Sequence, residues 1–169
     1  MFCVIGVVPM GQLYGGKICA ALDRQHPRDL FDVKYLLDNE GFNNEIKEGL
    51  LLNLLSSARP INELLNPNFK DQRLAMENQF TGMNEEPFSY EEFEKVREDL
   101  VKTIQKSLTD QDKKFLLSVK NLTPDWSIYN FEHFPSVAWK LHNLENLKDT
   151  NPEKYYKQYE ELKKKLESF

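Results

Sequence analysis

The stretch Leu13-Tyr14-Gly15-Gly16-Lys17-Ile18-Cys19-Ala20-Ala21-Leu22-Asp23-Arg24-Gln25-His26-Pro27-Arg28-Asp29-Leu30-Phe31-Asp32-Val33 decides the fold. Its apolar residues recur every three or four positions on both sides of Pro27, a residue that ends one helix and opens the next at its first turn. A helix from Gly11 to Gln25 and a second from Pro27 to Gly41 are therefore expected, joined as a helix-turn-helix-like hairpin. On a helical wheel Leu13, Lys17, Ala20 and Arg24 share a narrow arc beside the apolar face of Tyr14, Ile18, Ala21 and Leu22. Lys17 and Arg24 are then about 10 Å apart along one face, a span that suits a polyphosphate or neighbouring nucleic-acid phosphates, with Arg28 just past the turn. Asp29 projects from the apolar arc of Leu30, Val33, Leu36 and Leu37, where a carboxylate needs a cation or hydrogen-bond donors: Lys17, Arg24 or Arg28. The alternative is a solvated charge border, with Asp23, Asp29 and Asp32 as ion-pair partners and Asp29 facing the helix dipole.

The same periodicity continues outward from the hairpin. Helices are expected over Asn44 to Ala58 with Ile46, Leu50, Leu54 and Ala58 on one stripe, and over Ile61 to Leu65. The stretch from Asn66 to Pro87 mixes Pro, Asn, Gly and charges with scattered apolar residues, and most of it reads as irregular. Ser89 with Glu92 fits a capping box ahead of a helix from Tyr90 to Leu108, and Thr109 with Asp112 repeats the signal before Lys113 to Lys120. Pro135 opens a helix carrying Val137, Leu141, Leu144 and Leu147. Asn151-Pro152 starts the last one, with Tyr155, Tyr159, Leu162, Leu166 and Phe169 on one face. Toward the start, Phe2 to Val8 reads as a short buried strand ending at Pro9. Gly15-Gly16 lacks the spacing of a phosphate loop, so close helix packing explains it better, and His26 reads as a turn residue. Trp126 and Trp139 read as core or partner-groove residues.

The 169 residues suit one domain, read as 1–41 (remnant strand plus hairpin) and 42–169 (helical region). With 40% hydrophobic and 29% charged residues the chain is neither disordered nor membrane-embedded. A net charge of −5 argues against nonspecific nucleic-acid binding by the whole surface, though local cationic patches remain. Cys3 and Cys19 form neither a disulfide framework nor a zinc site, and no export signal is read, so a cytoplasmic protein is expected.

Taken as a block, Leu13 to Val33 resembles the third motif of the AbiEii toxin family: a Lys, an Ala and an Arg on one helix, then Arg-Asp and a second Asp opening the next. The resemblance continues through Arg59-Pro60 with Glu63-Leu64-Leu65, Gln79-Phe80 with Gly82-Met83, Phe115 to Ser118, Pro124-Asp125-Trp126, and Trp139-Lys140-Leu141 with Asn143-Leu144. It implies a mainly α chain, the helical C-terminal region of a nucleotidyltransferase-like α/β protein of the DNA polymerase β-like superfamily, with at most a remnant N-terminal strand. Such proteins are type IV toxin–antitoxin or abortive-infection toxins that transfer a nucleotide from a nucleoside triphosphate to RNA, using Mg²⁺. The implied roles place Lys17 on triphosphate charge, Arg24 and Arg28 on phosphate or acceptor RNA, and Asp29 holding Lys17 or completing the site, supported by Asp32. The family's metal-holding element is a Gly-Ser or Gly-Gly turn followed by Asp-x-Asp in a small sheet, and this sequence has no such element. A truncated gene, a split gene or a misannotated start is therefore expected, with no metal ligands in this chain and little activity alone. Implied partners are tRNA or another RNA, an antitoxin, and a separately encoded N-terminal half. A noncatalytic RNA- or partner-binding helical module, or a degenerate remnant, is the alternative.

Overall fold

The computed structural model describes residues 6–83 and 86–169. These hold nine helices and no strand: α1 Met10–Arg24, α2 Pro27–Asn39, α3 Asn44–Ser56, α4 Ile61–Leu65, α5 Arg73–Gln79, α6 Tyr90–Ser107, α7 Asp110–Lys120, α8 Pro135–Thr150 and α9 Pro152–Ser168. The mainly α expectation holds. The strand expected over Phe2 to Val8 lies mostly outside the described residues; the described end, Gly6 to Val8, is irregular and exposed rather than buried.

The hub is α3. Leu50, Leu51, Leu52, Leu54 and Leu55 are all buried, so this helix is surrounded by neighbours instead of presenting a single stripe. It ends at Ser56, and Ala58, expected at the foot of the stripe, is exposed beyond it. α1 lies on α3 at very short range. A Cβ on Gly15 would sit 2.2 Å from the Gly49 carbonyl carbon, and one on Gly49 would sit 1.8 Å from the Gly11 oxygen. Only glycine permits that backbone approach, which bears out the packing explanation for Gly15. Gly16 points elsewhere, with Asn53 Oδ1 at 3.5 Å.

The helix starts follow the sequence signals. Thr109 and Asp112 form a complete capping box, Ser89 accepts from the Glu92 N–H, and Asn151 accepts from the Lys154 N–H with Pro152 in the first turn. Most of the 66–87 stretch is irregular as expected, but it also holds α5, which buries Met76 and is followed by the buried Phe80. Trp126 packs against the core and meets Phe115, whereas Trp139 is 65% exposed and stacks loosely on His142.

Away from the hairpin, a buried ion pair fixes α3 to α7. Lys47 Nζ donates to Asp112 Oδ2 at 2.8 Å, and Tyr129 donates its hydroxyl to Asp112 Oδ1 at 2.5 Å. Burial pulls the Asp112 pKa upward, but the donors from Lys47, Tyr129 and Thr109 outweigh it and hold the carboxyl below its usual range.

Candidate phosphate-facing hairpin

The turn between α1 and α2 is built by Gln25 and His26. Gln25 takes a left-handed backbone (φ 55°) that normally favours glycine, and it is locked there by its own side chain. The amide donates to the Asn68 carbonyl at 2.8 Å and accepts from the Lys70 N–H at 3.0 Å, with Arg97 3.3 Å away. His26 is the N-cap of α2: its Nδ1 accepts from the Arg28 N–H at 3.2 Å. Nε2 must then carry the proton, which it donates to Gln79 Oε1 at 3.0 Å.

With the turn fixed, four of the motif's charges form two ties across the hairpin. Lys17 Nζ meets Asp32 Oδ2 at 2.6 Å, and Arg24 meets Asp29 Oδ1 at 2.7 Å. Of the three cations expected within reach of Asp29, Arg24 is the one it meets and Lys17 goes to Asp32, because Asp29 opens α2 beside the end of α1 whereas Asp32 lies one turn further along, opposite Lys17. Asp29 is largely buried as its arc position required, and its second oxygen, Oδ2, is buried with no hydrogen-bond partner. Arg28 stands apart from both pairs and donates to the Met83 sulfur at 3.1 Å.

Residues remote in sequence complete the surroundings. Gln79 holds His26, Met83 receives Arg28, and Phe80 packs 5.2 Å from Phe31, so the Gln79 to Met83 segment closes over the start of α2. Arg59 binds the Asp23 carboxylate at 2.9 Å and its carbonyl at 3.0 Å, removing Asp23 from competition for Arg24. Arg97, buried beneath Phe69 and beside Phe93, donates to the Lys70 carbonyl and braces the Gln25 amide. None of these supports was identified as part of the site from the sequence: their partners lie tens of residues away.

Lys17 and Asp32 line a shallow groove of about 430 Å³ with Tyr14, Phe31 and Tyr35. Both cations of α1 are reachable from solvent, Lys17 at 39% and Arg24 at 64% side-chain exposure. Cys19, on the other face of α1, is different: burial and then the Asp23 charge push its thiol up to about 11, so it is no nucleophile at neutral pH.

No group of three or more His, Cys, Asp and Glu among the described residues is arranged to hold a metal ion. The motif's own carboxylates are engaged by Lys17 and Arg24. Asp110-Gln111-Asp112 has Asp-x-Asp spacing, but it opens a helix and Asp112 is committed to Lys47, Tyr129 and its own cap. The donor set does not fit a catalytic metal pair.

Fold and charge pattern define a helical module organised around a Lys/Arg–Asp hairpin. The chain belongs to the family described as nucleotidyl transferase AbiEii toxin of type IV toxin–antitoxin systems, whose model matches residues 1–143. No curated protein and no solved structure gives a match.

Proposed function

We propose that this chain contributes the phosphate-gripping part of a toxin nucleotidyltransferase site and does not transfer nucleotides alone. The observation that carries the proposal is the pair of cross-hairpin ties: carboxylates of α2 hold Lys17 and Arg24 in fixed directions while leaving both open to solvent. A cation so positioned meets a phosphate without first losing side-chain freedom. Lys17 takes triphosphate charge at the groove, where Tyr14, Phe31 and Tyr35 offer aromatic surface to a nucleotide. Arg24 and Arg28 take further phosphates of the triphosphate or of acceptor RNA. Asp29 and Asp32 act as positioning residues for Arg24 and Lys17. This pairing, which engages the motif's carboxylates in holding cations, favours a binding role over an autonomous enzyme.

Mg²⁺ and a nucleoside triphosphate belong to the complete reaction of the family, and the carboxylates for the metal come from a separate segment. Type IV membership makes an antitoxin the expected protein partner. The reading of 1–41 and 42–169 as one domain is supported by the seat of α1 on α3. No helix among the described residues is long and apolar enough to cross a membrane, and the cytoplasm is the proposed compartment.

The test is to incubate the chain with Mg²⁺, each labelled nucleoside triphosphate in turn, and bulk tRNA. No labelled RNA is expected. Robust labelling that disappears in Lys17→Ala would overturn the division of labour.

A further inference from the structure

A second cationic site lies away from the hairpin, in a cleft of about 370 Å³ bordered by α4, α7, α8 and α9. Lys120 and Lys140 both line it, at 5% and 8% exposure, so both are more than nine-tenths buried. Lys140 donates to the carbonyls of Ser57 at 2.6 Å and Arg59 at 2.9 Å, and Lys120 donates to Gln158 Oε1 at 2.9 Å. These acceptors are neutral, and among the described residues neither ammonium has a carboxylate in ion-pair reach. An ammonium has three donors, so hydrogens on both lysines remain available to the cleft.

Such an arrangement is costly without an anion. Buried charges are ordinarily paired, and two like charges on one cleft repel. Burial pushes both lysines down to about 8, and Lys140 adds to the shift of Lys120, yet both stay protonated at neutral pH. Tying the carbonyls after α3 explains Lys140 alone; it does not explain a second cation opposite. Leu144, Leu147 and Leu162 supply apolar wall, and Lys154 adds a third positive charge at the rim.

We propose that this cleft binds a phosphomonoester, its dianionic head between Lys120 and Lys140 and its organic body against the leucines. A dianion neutralises both ammonium groups, whereas a carboxylate leaves one uncompensated, and a phosphomonoester is largely dianionic above its second pKa near 6. Lys17, Arg24 and Arg28 do not line this cleft, so the site is independent of the hairpin.

Calorimetric titration with phenyl phosphate at pH 7 tests it, with benzoate as the carboxylate of matched body. Saturable binding of phenyl phosphate is expected, about tenfold weaker in Lys120→Met, unchanged in Lys163→Ala, an exposed charge that does not line the cleft, and about tenfold tighter than benzoate. Lys140→Met strips the Ser57 and Arg59 carbonyls of their donor and is therefore read only if circular dichroism shows it folded. The native chain supplies a second measurement: binding should fall sharply between pH 7 and 9.5 as the two lysines lose their protons. The other titratable groups nearby are Tyr155 beneath Lys120, Cys19 toward Lys140, and Glu161 and Lys165 across Asn62. Absence of saturable binding, equal affinity in Lys120→Met, equal affinity for benzoate, or pH-independent binding overturns the proposal. Loss only in Lys17→Ala would also overturn it, by assigning the anion to the hairpin.

Discussion

Replacing Gly49 by alanine puts a methyl group where there is no room. Its carbon would lie 1.8 Å from the Gly11 oxygen and 2.2 Å from the Gly11 carbon, against the 3.4 Å at which such contacts become ordinary. The obstacle is backbone, so no rotamer change relieves it, and α1 must lift from α3. Overpacking of this kind costs about 1–3 kcal/mol, and the lift also strips contact from Ile18 and Leu22. Alanine returns about 0.5–1 kcal/mol of helix propensity, which leaves a net loss of up to about 2.5 kcal/mol before the stripped contacts are counted. At about 2–4 °C per kcal/mol for a chain of this size, overpacking alone lowers the melting temperature by up to about 10 °C. Gly16→Ala is the internal control: its methyl meets only Asn53 at ordinary distance, so it should gain stability by up to about 1 kcal/mol. Thermal melts followed by circular dichroism, with urea titrations to check an unchanged m-value, read both signs. If Gly49→Ala melts at or above the native temperature, the close crossing that supports the hairpin is not there.

Asp112→Asn should destabilise by about 3–5 kcal/mol in urea titration, because it leaves the Lys47 ammonium buried without its counter-ion; a loss under 1 kcal/mol would show the pair to be solvated. The lysine pair sets a pH dependence. Folding lowers the pKa of Lys120 and Lys140 from 10.5 to about 8, so between those values the unfolded chain binds more protons and stability rises with pH. Ionisation of the unfolded Cys19 thiol opposes this above pH 9, because the folded thiol stays protonated to about 11. In phosphate-free buffer the melting temperature should therefore rise from pH 7.5 to 9, and Lys120→Met should flatten the rise; a wild-type profile that falls across this window contradicts the burial of the pair.

The helices were legible where the chain marks their ends chemically. Pro27, Thr109 with Asp112, Pro135 and Asn151-Pro152 each start a helix by satisfying or removing amide donors, a property of a few adjacent residues. α5 escaped because it has no side-chain cap and buries only Met76, so neither boundary nor periodicity announces it. The stripe assigned to α3 was too narrow because the second half of the helix, Leu50 to Leu55, is buried on more than one face, and that burial is decided by neighbours from α1 and α8. In the site, the residue types were legible and the pairing was not. Lys17 and Arg24 share an arc by helix geometry alone, but which aspartate each meets depends on how α2 turns away after Gln25. That angle is set by Asn68, Lys70 and Arg97. Lys120 and Lys140 were not legible as a pair in one dimension, since they lie on different helices and a lone lysine on a helix is ordinarily solvated.

The most direct test of the phosphate-facing hairpin is equilibrium binding of a labelled nucleoside triphosphate and of tRNA, at low and at physiological ionic strength. Lys17→Ala, Arg24→Ala and Lys163→Ala are compared, the last being an exposed charge on α9. Binding should be strongly salt-dependent, weaker by about 1.5–3 kcal/mol in each of the first two variants, and unchanged in Lys163→Ala. Phenyl phosphate at saturating concentration, added to fill the α7–α9 cleft, should leave those differences in place. If all three variants bind alike, or if binding is indifferent to salt, the Lys17–Asp32 and Arg24–Asp29 ties are structural ion pairs and the hairpin grips no phosphate.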